Sequence, residues 1–385
     1  MLCPGVFFKR KQEMGLSVGI VGLPNVGKST LFNALTKKQQ AAAENYPFCT
    51  IEPNSAIVEV ADERLEALAK IAKSEQIIRA TVEFTDIAGL VKGASKGEGL
   101  GNKFLANIRE CDAILHVVRC FENDDIIHVQ EGGNKSAPID PVGDAQVIET
   151  ELALADMEQL QRRFERVSKE AKAKPQMRPE AEACAALLKH LEEGGSVRTF
   201  PRSEGDAILP VLKDLHFLTD KPVIFCANVA DDGVTGEGNP HVEDLKGYAE
   251  AQGASLVVIC AQMEADLAGL SDDEAKEFLQ SYGLEESSLD RTINLAYHTL
   301  GLASYFTAGP KEVRAWTFRR GWKAPKCAGV IHTDFEKGFI RAQVVSFDDY
   351  VKYGGEAGAR EHGVLRPEGK EYEMKDGDVV EFLFN

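Results

Sequence analysis

The run Gly22-Leu-Pro-Asn-Val-Gly27-Lys28-Ser29 fits the spacing G-x-x-x-x-G-K-S/T at every defined position. The chemistry of that spacing is anion capture. Two glycines let the backbone curl until successive N–H groups point at one centre, which makes a nest for a phosphate. A helix that begins at Lys28 adds the positive end of its dipole. Lys28 carries a mobile ammonium for the outer phosphates, and the Ser29 hydroxyl suits a hard cation such as Mg²⁺. The run follows an apolar stretch, Leu16–Leu23, that reads as a strand.

A second set of residues fits the same chemistry. Thr81-Val-Glu-Phe-Thr-Asp86-Ile-Ala-Gly89 is a strand ending in a carboxylate, followed by x-Ala-Gly. In Ras-like folds such an Asp reaches Mg²⁺ and the Gly N–H senses the γ-phosphate. Thr50, in Tyr46-Pro-Phe-Cys-Thr50, completes the Mg²⁺ shell in this reading, and the loop Gly93-Ala-Ser-Lys-Gly97-Glu-Gly99-Leu-Gly101 reads as a switch segment. Leu90 stands where Ras-like enzymes carry a glutamine that orients the attacking water. His116, on the strand Ala113–Arg119, is the candidate replacement; its other reading is a structural strand histidine. For the base, Phe225-Cys-Ala-Asn228-Val229-Ala230-Asp231 keeps the Asn and Asp of an N-K-x-D loop but has Val for Lys, and Cys260-Ala261-Gln262 replaces the usual Ser-Ala-Lys. Guanine selectivity is open on these residues.

The elements that must hold this site are strands at Ala56–Val60, Thr81–Asp86, Ala113–Arg119, Val223–Asn228 and Ser255–Cys260, with helical patterns between most of them. The alternation predicts an α/β P-loop NTPase domain with a mainly parallel sheet. From Val147 to Glu193 no strand candidate occurs, and Met157, Leu160, Phe164, Val167 and Ala171 form a stripe stepping by three and four. That predicts an inserted helical hairpin with a coiled-coil seam. Arg162 to Arg178 holds seven basic residues against Glu165 and Glu170, near the expected tip. After Leu300 short strands and interleaved aromatic and basic residues mark a small β-rich module, and Lys311 to Arg341 holds eight basic residues against three acids. The whole chain of 385 residues carries −17, so any nucleic-acid contact rests on those local patches. Eight cysteines without a C-x-x-C pair argue against zinc and disulfides and for a reducing, cytoplasmic setting. No apolar run spans a bilayer, and Met1–Glu13 reads as an extension before Met14.

Five stretches resemble the YchF or Obg-like ATPases, a branch of the P-loop GTPases: Gly22–Thr30, Asn45–Asn54, Asp86–Gly101, Phe306–Trp316 and Ile331–Arg341. The resemblance runs from Met14 to Asn385. It implies an extension at 1–14, a nucleotide-binding domain at 15–140 and 206–300, an inserted helical domain at 141–205, and a C-terminal TGS module with a β-grasp fold at 301–385. It implies ATP in preference to GTP, with phosphates on Asn25, Val26, Gly27, Lys28, Ser29 and Thr30, and Mg²⁺ on Ser29, Thr50 and Asp86. It also implies adenine against Asn228 and the Val229 backbone, His116 in place of the glutamine beside Lys28 and Gly89, and K⁺ near Asn25. The expected partner is the ribosome, its large subunit and rRNA, reached by the hairpin and the TGS module of a monomer. The chain departs from the family at Asp231, where the family reads Glu and GTPases read Asp. A guanine-specific switch, or a ribosome-binding protein with structural nucleotide, are the alternatives.

Overall fold

The computed structural model describes residues 17–42, 54–87, 100–123 and 138–385. Thr50, Gly89, Leu90, Gly93–Gly99 and the leader lie outside the described residues. The strands are β1 (Ser17–Val21), β2 (Ser55–Glu59), β3 (Gln76–Ile78), β4 (Thr81–Asp86), β5 (Ala113–Arg119), β6 (Val223–Asn228), β7 (Ser255–Ile259), β8 (Leu302–Ala308), β9 (Glu312–Arg319), β10 (Phe339–Ser346), β11 (Arg366–Glu368) and β12 (Asp378–Phe384). They form two six-stranded sheets, and the chain packs as two units: one takes residues up to Ala56 and Glu83–Leu289, the other Ile57–Val82 and Asp290–Asn385.

The first sheet runs β2-β4-β1-β5-β6-β7. β1, β4, β5, β6 and β7 are parallel neighbours within that order. β2 runs antiparallel to β4, as the bonds Asp86 N–Asn54 O and Val60 N–Ala80 O at its two ends show. β5 and β6 are buried at every position, which is why they read as unbroken apolar runs rather than alternating ones. The strand order reverses at β1, the position where open α/β sheets place their ligands.

The hairpin inserts after β5. Asp140 caps its first helix, Pro141–Ala173, by accepting the Gly143 N–H at 2.9 Å, and Pro141 occupies the first turn. The helix is 33 residues long, starting earlier than the Met157 stripe predicts. A 3₁₀ turn at Pro175–Met177 reverses the chain into Arg178–Glu192. Leu160, Val167 and Ala171 of the stripe are buried, with Met157 and Phe164 half-buried beside them.

The second unit is a mixed sheet in the order β11-β10-β12-β8-β9-β3, with a parallel β12–β8 pair at its centre. The β-grasp module supplies five of its strands. The sixth, β3, is parallel to β9 and comes from residues that read in the sequence as part of the nucleotide-binding domain. The helix Arg64–Ala72 comes with it. Tyr305 and Phe306 point to opposite faces of β8. Tyr305 bonds the Cys327 carbonyl on one face, and the Arg64 guanidinium lies 4.9 Å over the Phe306 ring on the other. Leu65 and Leu68 of that helix are fully buried there. The apolar partners of 57–82 are therefore on β8 and β9, which is why the segment joins the C-terminal unit.

Candidate nucleotide-binding site

The loop after β1 has the backbone that its glycines predict. Gly22, Asn25 and Gly27 have φ of 155°, 63° and 100°. A Cβ on Gly22 would meet the Val117 carbonyl at 2.4 Å, and one on Gly27 would meet Asn228 Nδ2 at 2.2 Å. Only glycine fits either position. Val26 is buried, so it offers its backbone and not its side chain, whereas Asn25 and Ser29 are exposed at the mouth of the loop and Thr30 is half-exposed.

Lys28 opens the helix Lys28–Ala42, and its Nζ donates to the Leu23 carbonyl at 2.6 Å across the loop. It is 8% exposed. Burial lowers its pKa to about 8, against the opposing pull of Asp86. Asp86 ends β4, and burial raises its carboxyl pKa while Lys28 lowers it. The two groups thus stabilise each other's charge at the loop. Ser29 and Asp86 are oxygen donors of the kind Mg²⁺ takes. No group of three or more His, Cys, Asp or Glu placed to hold a metal ion occurs among the described residues.

Asn228, at the end of β6, acts as a brace. Its Nδ2 donates to the Val26 carbonyl at 2.9 Å, and its Oδ1 accepts the Ala261 N–H at 3.0 Å. One side chain therefore ties the phosphate loop to the loop after β7, and Gly27 must be glycine to make room for it. Val229 is buried, with its N–H on the Ile259 carbonyl at 2.9 Å. Asp231 starts an exposed turn, and its Oδ1 accepts the Asp232 N–H at 3.1 Å. Ala261 belongs to the site through its N–H. Backbone contacts of this kind carry no residue-type signal, and only its place directly after β7 and Cys260 hints at it.

His116 sits differently from the sequence expectation. It is 2% exposed in the middle of β5, its ring centroid 5.3 Å from that of Phe225. Burial, then the Lys28 charge, lowers its pKa to about 3, so the imidazole is neutral at physiological pH. A ring packed inside the layer lines the core, not the mouth of the site. His116→Phe is therefore expected to keep turnover, while His116→Ala loses stability on the order of 2–4 kcal/mol. Steady-state turnover beside thermal melting of both variants checks this; a loss of turnover in a stably folded His116→Phe would restore the water-orienting role.

The described cysteines, Cys111, Cys120, Cys184, Cys226, Cys260 and Cys327, are all buried, with pKa values raised chiefly by burial. They behave as small core residues and not as reactive thiols.

Two family models match the chain: "50S ribosome-binding GTPase" over residues 17–166, and the C-terminal model of the YchF GTPases, described as a protein of unknown function, over residues 302–385. A Pasteurella multocida protein named ribosome-binding ATPase YchF is 54% identical over 373 residues, spanning 97% of this chain and 100% of that one. A Bacillus subtilis protein of the same name is 51% identical over 376 residues, with the same shares. Among solved structures, the Schizosaccharomyces pombe YchF GTPase superposes with a TM-score of 0.84 at 36% identity, covering 96% of this chain and 98% of that one.

Proposed function

This chain belongs to the YchF family, and on that footing we propose that it is a ribosome-binding ATPase whose nucleotide state sets how it engages the ribosome. The observation that carries the reading is the loop Gly22–Ser29: a backbone nest with Lys28 buried across it and Asp86 beside Lys28. In this reading Asn25 to Thr30 hold the phosphates, and Ser29, Thr50 and Asp86 hold Mg²⁺, which neutralises phosphate charge when bound. The Gly89 N–H senses the γ-phosphate, and K⁺ sits near Asn25. Lys28 keeps its proton and stabilises charge on the outer phosphates. Adenine lies against the Asn228–Val229 backbone.

Asp231 favours a second reading, a guanine-specific switch, because guanine is read by a carboxylate accepting two hydrogen bonds. Val229 and Gln262, standing where guanine-binding loops carry lysines, weigh against it. Side-by-side equilibrium binding of fluorescent ATP and GTP analogues, with Mg²⁺ and K⁺, decides between them. An ATP preference of tenfold or more, about 1.4 kcal/mol, is expected; a guanine preference of that size would overturn the ATP reading.

The ribosome contact proposed here is the large subunit and its rRNA, made by a cytoplasmic monomer through the insert 141–205 and the module 301–385. The matched "50S ribosome-binding GTPase" model supports the subunit assignment, and no helix among the described residues is long and apolar enough to cross a membrane. On the module, Arg314 stacks 4.0 Å over Trp316 and Lys326 3.9 Å over Trp322, so both rings hold cations toward a polyanion. On the hairpin, Arg166, Lys169, Lys172, Lys174 and Arg178 project from the arm with their charges open to solvent or half-open to it. Arg163 is not available: it is committed to Glu180 at 2.5 Å and Asp214 at 3.6 Å, and is 16% exposed. Reversing Arg166, Lys169, Lys172 and Arg178 to Glu is expected to weaken ribosome binding. It should also lower the salt dependence by about one unit of slope for each phosphate that the arm no longer neutralises. Co-sedimentation across a salt series reads this, and unchanged binding would exclude the hairpin from the ribosome interface. Arg163→Glu serves as the control that breaks the hairpin itself.

A further inference from the structure

The C-terminal module carries two kinds of aromatic surface. Trp316 and Trp322 are capped, because Arg314 and Lys326 lie over their faces and both rings pack against the module's core. Such rings offer a partner their cation. Phe384, on β12, is different. It is 42% exposed and stacks on Phe335, with centroids 3.7 Å and planes 25° apart. Phe335 belongs to the helix Thr333–Lys337 and packs against the core, so one ring is anchored and the other stands on it. Among the described residues no cation and no further ring lies against Phe384. Its open area is therefore chiefly the face turned away from Phe335.

The local backbone keeps that face clear. Phe339 pairs with Phe384 and Arg341 with Leu383, so Ile340 is an extra residue, a β-bulge at the start of β10. Ile340 is 49% exposed beside the Phe339–Phe384 rung, and Arg341 is exposed on the next one. The Asn385 N–H donates to the Gly338 carbonyl at 3.0 Å, which ties the chain after Phe384 to β10 instead of letting it fold over the ring. A Cβ on Gly338 would meet the Asn385 carbonyl at 2.3 Å, so glycine is what allows that approach.

Two cations flank the ring pair. Lys337 and Arg341 are exposed, and neither is paired with an acid among the described residues. The acids beside them turn elsewhere. Asp334 faces His332 Nδ1 at 3.4 Å, and Glu336 reaches over Gly329, where a Cβ would meet its Oε2 at 2.5 Å. An open ring between two uncommitted cations matches one nucleotide, whose base has a π face and whose phosphates carry the charge. Only an unpaired base fits, because bases inside an RNA helix are already stacked on both faces.

We infer that Phe384 is a stacking platform for an unpaired base of ribosomal RNA, with the adjoining phosphates on Lys337 and Arg341; the inference rests on the ribosome-binding reading above. The experiment is fluorescence anisotropy of the full chain with labelled oligo(A), and with the same strand annealed to oligo(U). Beside it runs co-sedimentation with vacant ribosomes, which hold no mRNA or tRNA. Phe384→Ala is expected to weaken oligo(A) and ribosome binding by about fivefold or more, the share of one stacked base. It should leave duplex affinity, melting temperature and ATP turnover unchanged. Phe384→Tyr keeps the ring and is expected to bind as the wild type does. Lys337→Ala combined with Arg341→Ala should flatten the salt dependence of oligo(A) binding.

The assignment is overturned if the wild type does not bind oligo(A), or if Phe384→Ala weakens strand and duplex equally. It is also overturned if Phe384→Tyr binds no better than Phe384→Ala, or if the double variant keeps the full salt slope. A loss on oligo(A) with unchanged ribosome binding would overturn ribosomal RNA as the source of the base. A loss on ribosomes alone would give the ring to a ribosomal protein instead. Failure of the wild type to co-sediment would overturn the ribosome-binding reading itself.

Discussion

Replacing Lys28 with methionine is expected to lower turnover on the order of 10²–10³-fold, the scale set by loss of one preorganised electrostatic donor, while raising the melting temperature of the empty protein. The two effects share one cause. Burial holds the Lys28 pKa at about 8 against an ordinary 10.5, so keeping the ammonium charged at neutral pH costs about 3 kcal/mol of folding stability. The sign follows from proton linkage: the folded chain binds that proton less tightly than the unfolded chain, so the cost is full below pH 8 and vanishes above the ordinary value. Methionine fills a similar volume without the charge. A variant that melts lower would show that the bond to the Leu23 carbonyl outweighs the burial cost.

The same residue predicts a pH dependence in the wild type. Polyphosphate binds the charged lysine, so binding raises its pKa and takes up a proton where the empty protein has already lost it. ATP affinity is expected to be flat below pH 8 and to fall above it, by up to about tenfold per unit. Titration calorimetry at about pH 8.5 in buffers of different ionisation enthalpy should show net proton uptake, and Lys28→Met should abolish it. Proton release at that pH would contradict the assignment. His116, neutral above about pH 3, adds nothing to the profile in this range.

The second large effect concerns a chain ended after Leu300. Such a chain keeps residues 57–82 but loses β8 and β9, their packing partners. Leu65 and Leu68 become exposed, at about 1.5–3 kcal/mol each, and β3 loses β9, its neighbour in the sheet order. Arg64 loses Asp376 and Phe306. Ser74 Oγ loses the Gly309 carbonyl. The truncated chain is expected to aggregate or to melt well below the full one. The structure also supplies the repair. Val60 N donates to the Ala80 carbonyl at 2.8 Å, where the excursion leaves and re-enters the antiparallel β2–β4 pair. Replacing 61–79 with Asn-Gly, the residues of a two-residue hairpin turn, is expected to return the truncated chain to a soluble, ATP-binding form. Circular dichroism melts and nucleotide binding of both chains test this; a stable simple truncation would mean that 57–82 folds without the module.

Residues 22–29 can be read as a phosphate loop without a structure because their chemistry is local: two positive-φ glycines, a helix start and a lysine lie within one short run. The parallel sheet is legible for a related reason, since strands covered on both faces, such as β5 and β6, are apolar throughout. The stripe from Met157 to Ala171 likewise announces the hairpin, because a buried seam needs a fixed helical period. What the tertiary structure decides involves partners far apart in the chain. Arg163 reads as one more basic residue of the tip until Glu180 and Asp214 close on it. Asn228 reads as a base reader and is also the brace between Val26 and Ala261. His116 reads as a catalytic candidate because of its type, and β6 buries it against Phe225. Residues 57–82 read as part of the nucleotide-binding domain because they lie between two of its strands. Residue type and spacing determine what a segment is able to do and which of its faces is apolar. Which distant surface covers that face depends on packing against residues hundreds of positions away, and local pattern carries no record of it.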